Sequence, residues 1–385
     1  MYIPRALTDT ILESSKYFPV VTLTGPRQSG KSTLYRHIFP DCPYVSLEDP
    51  DIRMLADSDT RGFLDRYEKE VIIDEIQNCP PLLSYIQGIV DNDRKRRFYL
   101  TGSSQFSLLQ NVTQSLAGRS AVFELLPLSL SELGAVDKLR NESADDLMYK
   151  GFYPSIWSDE NIPRLYYPAY VKTYLERDVR NILNIKGQNN FHRFIRLCAA
   201  RIGCVFNASE LSNELGVSAN TVSAWLSVLQ ASYIIFLLPP FFTNTKKRLI
   251  KSPKLYFTDT GLASYLLEID SPSNLNRDKM RGPLFENMVV MECLKSIYNS
   301  GRNTGLYFYR DSNRNEVDIL MKEGERYNLI EVKSSQTFHS DFLDGIKSFE
   351  KAFPALTAGK RIVYTGDDLG EFSGAGIINF RGLKA

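Results

Sequence analysis

Gly25-Pro26-Arg27-Gln28-Ser29-Gly30-Lys31-Ser32 is the stretch on which the fold turns. It matches the spacing G-x-x-x-x-G-K-[ST], and its surroundings matter as much as its letters. The apolar run Val20-Val21-Thr22-Leu23-Thr24 before it reads as a strand, and the residues after it read as a helix. Alone, the pattern is a glycine turn with a surface lysine. Between a strand and a helix start it is a loop whose backbone N–H groups wrap a phosphate. In that setting Lys31 meets the β- and γ-oxygens of a nucleoside triphosphate and the Ser32 hydroxyl ligates Mg²⁺. Gly25 and Gly30 permit the close approach, and the nucleotide-binding stretch takes in Pro26, Arg27, Gln28 and Ser29 and runs on to Thr33.

Working outward, short β-branched runs alternate with helical patterns over residues 1–135, which predicts a parallel sheet covered by helices. Strands are expected at 44–47, 71–73, 97–100 and, closing the unit, 125–128. Val71-Ile72-Ile73-Asp74-Glu75 supplies the partner of the loop. Asp74 leaves a buried strand at its C-terminal end, where open α/β sheets place their ligands, and can hold the Mg²⁺ water shell. Glu75 can orient or deprotonate an attacking water; an acidic pair there can also merely cap a helix. The second carboxylate favours a hydrolase over a small-molecule kinase. Ser103, in Leu100-Thr101-Gly102-Ser103-Ser104, is placed to sense the γ-phosphate or to make a plain serine turn. Arg119, in Leu116-Ala117-Gly118-Arg119, either stabilises transition-state charge, in cis or in a neighbouring subunit, or forms an ordinary salt bridge.

Composition bounds the rest. The chain has 385 residues, 43% hydrophobic and 24% charged, with a net charge of +1, so two to three globular domains are expected and any nucleic-acid surface must be a local patch. The apolar stretch 231–242 is broken by Pro239-Pro240 and is too short for a membrane span, and residues 1–18 show no signal-peptide core. Five scattered cysteines without a C-x-x-C spacing, and only three histidines, argue against a disulfide framework and a zinc site. A cytoplasmic protein with no membrane partner is expected.

Two further constellations lie downstream. Residues 208–223 read as helix-turn-helix: Leu211, Leu215, Val222 and Leu226 recur at helical spacing, Gly216 allows the turn and Ser218 caps the second helix. Residues 233–238 and 254–258 are candidates for a wing, with Lys246, Lys247, Arg248, Lys251 and Lys254 on phosphates. The second helix offers Ser218, Ala219, Asn220, Thr221, Ser223 and Trp225 to a groove but no Arg or Lys, so duplex DNA binding and protein packing both stay open. In the tail, Val317, Ile319 and Met321 share one strand face and Asp318 takes the other; Glu331 and Lys333 alternate with Ile330 and Val332. Pairing these strands through the turn at 322–326 puts Asp318, Glu331 and Lys333 on one face, with Glu286 joining at the edge from a helix over 283–299. Asp plus Glu-x-Lys behind a helix carrying Glu looks like the core of the PD-(D/E)XK nucleases, in which carboxylates bind Mg²⁺ and the lysine positions water. The Pro that usually precedes the Asp is absent, and such cores also persist as non-cutting scaffolds.

Taken together, the chain resembles the prokaryotic AAA+-like ATPases that carry a C-terminal DUF4143 domain. Besides the segments above, the resemblance rests on Ile73-Asp74-Glu75-Ile76-Gln77, Tyr174-Leu175-Glu176-Arg177-Asp178, Tyr256-Phe257-Thr258-Asp259-Thr260-Gly261-Leu262, Gly282-Pro283-Leu284-Phe285-Glu286 and Ile330-Glu331-Val332-Lys333-Ser334-Ser335. It implies ATP and Mg²⁺ as cofactors and an α/β layout. That layout is a P-loop core at 1–135, a helical lid or linker at 136–197, a winged helix-turn-helix at 198–270 and a nuclease-like domain at 271–385. Two functions follow: an ATPase that drives a DNA-handling C-terminal half, or a slow nucleotide switch, a homo-oligomer included, with an inactive nuclease-like scaffold.

Overall fold

Near-continuous burial, with apolar cover on both faces, builds the first sheet. The computed structural model describes residues 2–103, 116–159, 162–174, 188–241, 252–303 and 305–383. These fall into two units: residues 1–128 with 231–233 and 298–302, and the remainder.

In the first unit, strands β1 (Val20–Thr24), β2 (Tyr44–Ser46), β3 (Glu70–Asp74), β4 (Arg97–Gly102) and β5 (Ser120–Glu124) form one sheet in the order β2-β3-β4-β1-β5. All neighbours are parallel. Helices α1 (Thr8–Tyr17), α2 (Lys31–Ile38), α3 (Pro50–Ser58), α4 (Thr60–Asp65) and α5 (Pro81–Asn92) cover it. Val20, Ile73 and Leu100 pack with Phe63, Leu82 and Ile86 on one face. Val21, Leu23, Ile72 and Tyr99 pack with Ile11, Leu34 and Tyr35 on the other. A sheet buried on both faces explains why its strands read as unbroken apolar runs. The order places β4 between β1 and β3, so the tip of β4 stands between the phosphate loop and the Asp74–Glu75 pair.

The closing strand is not at 125–128 but five residues earlier. Leu125 and Leu126 are buried, yet Leu125 N–H already donates to the Thr24 carbonyl (2.8 Å) as the chain turns out of the sheet. A short apolar run looks the same in the sequence whether it pairs or merely passes beneath a loop.

In the second unit, helices α6 (Gln188–Ala199), α7 (Ala208–Leu215) and α8 (Ala219–Ala231) precede an antiparallel pair, β6 (Ile235–Leu238) and β7 (Lys254–Phe257). Gly216 ends α7 at φ +66°, and Ser218 Oγ accepts the Thr221 N–H at 3.1 Å, as the turn and cap require. Trp225 departs from expectation. It is buried against Phe191 and Phe194, with ring centroids 5.6 and 5.4 Å away, and does not face a groove. Lys246, Lys247, Arg248 and Lys251 lie outside the described residues, as do Ser104, Leu175, Glu176, Arg177 and Asp178.

Helix α9 (Arg281–Asn299) leads into a six-stranded sheet of β8 (Leu306–Arg310), β9 (Glu316–Glu323), β10 (Arg326–Lys333), β11 (Thr357–Tyr364), β12 (Gly370–Phe372) and β13 (Ala375–Asn379), in the order β12-β13-β11-β10-β9-β8. Helix α10 (Asp344–Ala352) crosses between the parallel strands β10 and β11 and buries Ile346 and Phe349. Strict alternation would part Val317 from Leu320, but both join Leu329 in the cluster under α10. Tyr307 pairs with Leu320 and Tyr309 with Val317, so two steps on β8 span three on β9. The extra residue is a bulge at the position of Asp318 and Ile319, and it turns Val317 to the other face. No described helix is long and apolar enough to cross a membrane.

Candidate functional site

At the C-terminal edge of the first sheet, the phosphate loop is held open by its glycines. Gly25 has φ +146°, and a Cβ there would stand 2.2 Å from the Leu125 carbonyl oxygen, so no larger residue fits. Gly30, at φ +91°, starts α2. Arg5, itself buried, ties the loop to the sheet exit by donating to the carbonyls of Ser29 (2.7 Å) and Leu126 (2.6 Å).

Lys31 folds back on the loop, its Nζ donating to the carbonyls of Gly25 (3.0 Å) and Pro26 (2.9 Å). Burial pulls its pKa down to about 8, against the opposing pull of Glu75 and Asp74. Ser32 Oγ donates to Asp74 Oδ1 at 2.8 Å, Tyr44 OH donates to Asp74 Oδ2 at 2.7 Å, and Thr101 donates a third bond. Burial first, and then Asp74, push the Tyr44 phenol up to about 12. Glu75 sits at φ +55°, a region that non-glycine residues seldom occupy and that clusters at functional sites. Its carboxylate accepts from Ser103 Oγ (2.9 Å), from the Ser103 backbone N–H (3.3 Å) and from Gln77.

The donor set suits a magnesium-bound triphosphate. Among the described residues a buried lysine donates to its own loop, a hydroxyl already lies against a carboxylate, and the buried Ser29 hydroxyl has no partner. Arg119 stands apart. Its guanidinium forms a two-pronged pair with Asp91 of α5, at 2.5 and 2.9 Å. Sequence reasoning missed Tyr44, Thr101 and Arg5 as site residues. Each acts through tertiary proximity that no local spacing announces.

The tail residues Glu286, Asp318, Glu331 and Lys333 lie together, and two of them, Glu286 and Asp318, gather about a lysine expected on a phosphate-binding wing. Lys254 is 2% exposed and does not reach out to phosphates. Its ammonium lies 2.9 Å from Glu286, pairs with Glu316 and stands 3.9 Å from Asp318. Glu286 also accepts from Tyr256 OH at 2.5 Å, so it belongs to the centre of the cluster and not to its edge. Period-two spacing on β7 was the available signal, since Lys254 and Tyr256 share one strand face.

Asp318 accepts from the Val332 N–H at 2.9 Å, and Lys333 pairs with Glu331 at 2.7 Å. Burial, then Glu331 and Glu286, raise the Asp318 carboxyl well above the usual range. Burial also raises Glu331, against Lys333. Burial opposes the charge on Lys254, but Glu286 and its neighbours outweigh it and hold the ammonium well above its ordinary pKa. Among the described residues no three carboxylate, histidine or cysteine side chains are arranged to hold a metal ion.

An AAA domain model matches residues 17–134, a domain of unknown function (DUF8612) matches 141–273, and a second (DUF4143) matches 281–381. The chain is similar to the uncharacterized protein Rv2008c of Mycobacterium tuberculosis, at 31% identity over 83% of this chain and 71% of the relative. It is also similar to the uncharacterized protein MJ1544 of Methanocaldococcus jannaschii, at 27% identity over 88% of this chain and 79% of the other. Among solved structures, the Walker-type ATPase PABY2304 of Pyrococcus abyssi aligns at 15% identity with a TM-score of 0.46, over 69% of this chain and 96% of that one. At 31% identity over 71% of that mycobacterial relative, the chain belongs to the family of Rv2008c.

Proposed function

We propose that this protein is a magnesium-dependent ATPase whose C-terminal half handles duplex DNA. One observation carries the ATPase reading: Ser32 and Asp74 meet at 2.8 Å at the sheet edge, while the neighbouring Glu75 is held separately by Ser103. In this reading the backbone of residues 25–30 binds the phosphates, and Lys31 leaves the Gly25 and Pro26 carbonyls for the β/γ-oxygens. Ser32 and Asp74 would hold Mg²⁺, which supplies charge neutralisation between the phosphates. Glu75 orients the attacking water and takes its proton, and Ser103 fixes the direction in which that carboxylate points. Arg119 serves the transition state only after parting from Asp91.

Phosphate release with Mg²⁺ tests the assignment. Lys31→Ala should abolish ATP binding, and Glu75→Gln should bind ATP but lower turnover by about 10²-fold or more, as loss of a general base does. Wild-type turnover in Glu75→Gln would sink the division of labour within the acidic pair. Support for DNA as partner is the pair of capped helices α7 and α8 followed by β6 and β7, the element order of a winged helix. Duplex DNA should then stimulate phosphate release, and an unchanged rate removes DNA from the reading. A second reading, a nucleotide-switched assembly with a non-cutting tail, is favoured by the position of Lys254 inside the tail carboxylates.

A further inference from the structure

Four carboxylates in the second unit gather where a nuclease-like core would need a divalent cation. Glu286 comes from α9, Glu316 and Asp318 from β9, and Glu331 from β10. Like charges brought this close out of water must be relieved by a bound cation, by a basic side chain or by protonation. We infer that Lys254 is the built-in cation of this cluster, standing where Mg²⁺ or Mn²⁺ would sit, so that the wild-type cluster takes up no divalent ion and loss of the Lys254 ammonium turns it into a metal site.

The geometry argues for substitution of the ion, not coexistence with it. Lys254 Nζ pairs closely with Glu286 and Glu316 and stands 3.9 Å from Asp318, so one cation lies among the carboxylates that a metal would bridge. A divalent ion needs oxygens at about 2.0–2.6 Å on several sides, and it cannot approach them while an ammonium occupies the common centre. Nor is Lys254 free to swing aside. It is 2% exposed, its ammonium lies over the Phe308 ring at 5.5 Å, and its strand is pinned on both edges. On one edge Lys254 pairs with Leu238 of β6, and on the other it bridges Val205, with Leu255 N–H donating to the Cys204 carbonyl at 3.1 Å.

The outer carboxylates have cations of their own. Arg310 stands 3.3 Å from Glu316, and Lys333 stands 2.7 Å from Glu331. Only one buried oxygen of the cluster, Glu331 Oε2, has no hydrogen-bond partner among the described residues. This inference rests on the second reading, in which the tail does not cut, and is independent of ATP hydrolysis.

Electron paramagnetic resonance of Mn²⁺ added to the full-length, nucleotide-free protein tests it, since bound Mn²⁺ loses its sharp six-line signal. Wild type and Asp318→Asn should take up the same amount. Lys254→Met should take up about one further equivalent, and that gain should vanish in the Lys254→Met, Asp318→Asn double variant. Wild-type uptake that Asp318→Asn removes, or Mn²⁺-dependent strand cleavage lost in Asp318→Asn, would overturn the inference. So would a folded Lys254→Met with no gain. If Lys254→Met does not fold, the wild-type and Asp318→Asn comparison decides alone. Failure of the ATPase reading would appear instead as absent phosphate release, with the Mn²⁺ balance unchanged.

Discussion

Lys31 is an ammonium with little water around it, and burial brings its pKa to about 8. Phosphate oxygens stabilise the charged form, so nucleotide binding raises that pKa and draws in a proton. The sign follows directly. Below about pH 7 empty loops already carry the charge and affinity is flat; above about 8 a growing share is neutral and ATP affinity falls, by up to roughly tenfold per pH unit. Titration calorimetry in buffers of different ionisation heat should show proton uptake between pH 8 and 9. A flat affinity over that range with no uptake would contradict the burial of Lys31. The neighbouring Gly25 admits a sharper test. Gly25→Ala drives a Cβ into the Leu125 carbonyl and should remove nucleotide binding altogether, read by fluorescent-nucleotide titration.

At the level of elements, α7 and α8 separate packing from recognition. Trp225 fills a pocket with Phe191 and Phe194, so Trp225→Ala should cost about 3–5 kcal/mol, measured by denaturant unfolding. Gly216→Ala meets no neighbour but must hold φ +66°, and should cost about 1 kcal/mol. These helices were legible because Leu211, Leu215 and Val222 repeat at helical spacing and Ser218 caps where a cap is needed. Strands β1, β3 and β4 were legible for a similar reason, since unbroken apolar runs beside a glycine loop admit few other structures. The register of β9 was not. A bulge is set by how Tyr307 and Tyr309 meet Leu320 and Val317, and pairwise fit between distant strands leaves no periodic trace. Lys254 was misplaced for the same cause: a lysine among basic neighbours reads as surface until Glu286, Glu316 and Asp318 are seen around it.

For the molecule as a whole, Arg119 poses a question of assembly. It is bound to Asp91 on its own chain, so any service to a neighbouring subunit requires that pair to open. If it acts between copies, ATPase rate should rise more than linearly with protein concentration, and Arg119→Ala should lower turnover without weakening ATP affinity. A linear dependence in a protein shown by light scattering to be monomeric confines Arg119 to its own chain. A different consequence follows from the late segments that complete the first unit. Tyr233 OH lies 2.7 Å from Thr24 Oγ1, one residue before the phosphate loop, and Thr10 Oγ1 donates to the Asn299 carbonyl at 2.8 Å. Residues 231–233 and 298–302 are therefore part of a body whose other residues end at 128. On the ribosome, at about 5–20 residues per second, the nascent chain waits roughly 10 to 35 seconds between making the sheet and making its last supports. The body that carries the phosphate loop is complete only when most of the polypeptide has been synthesised.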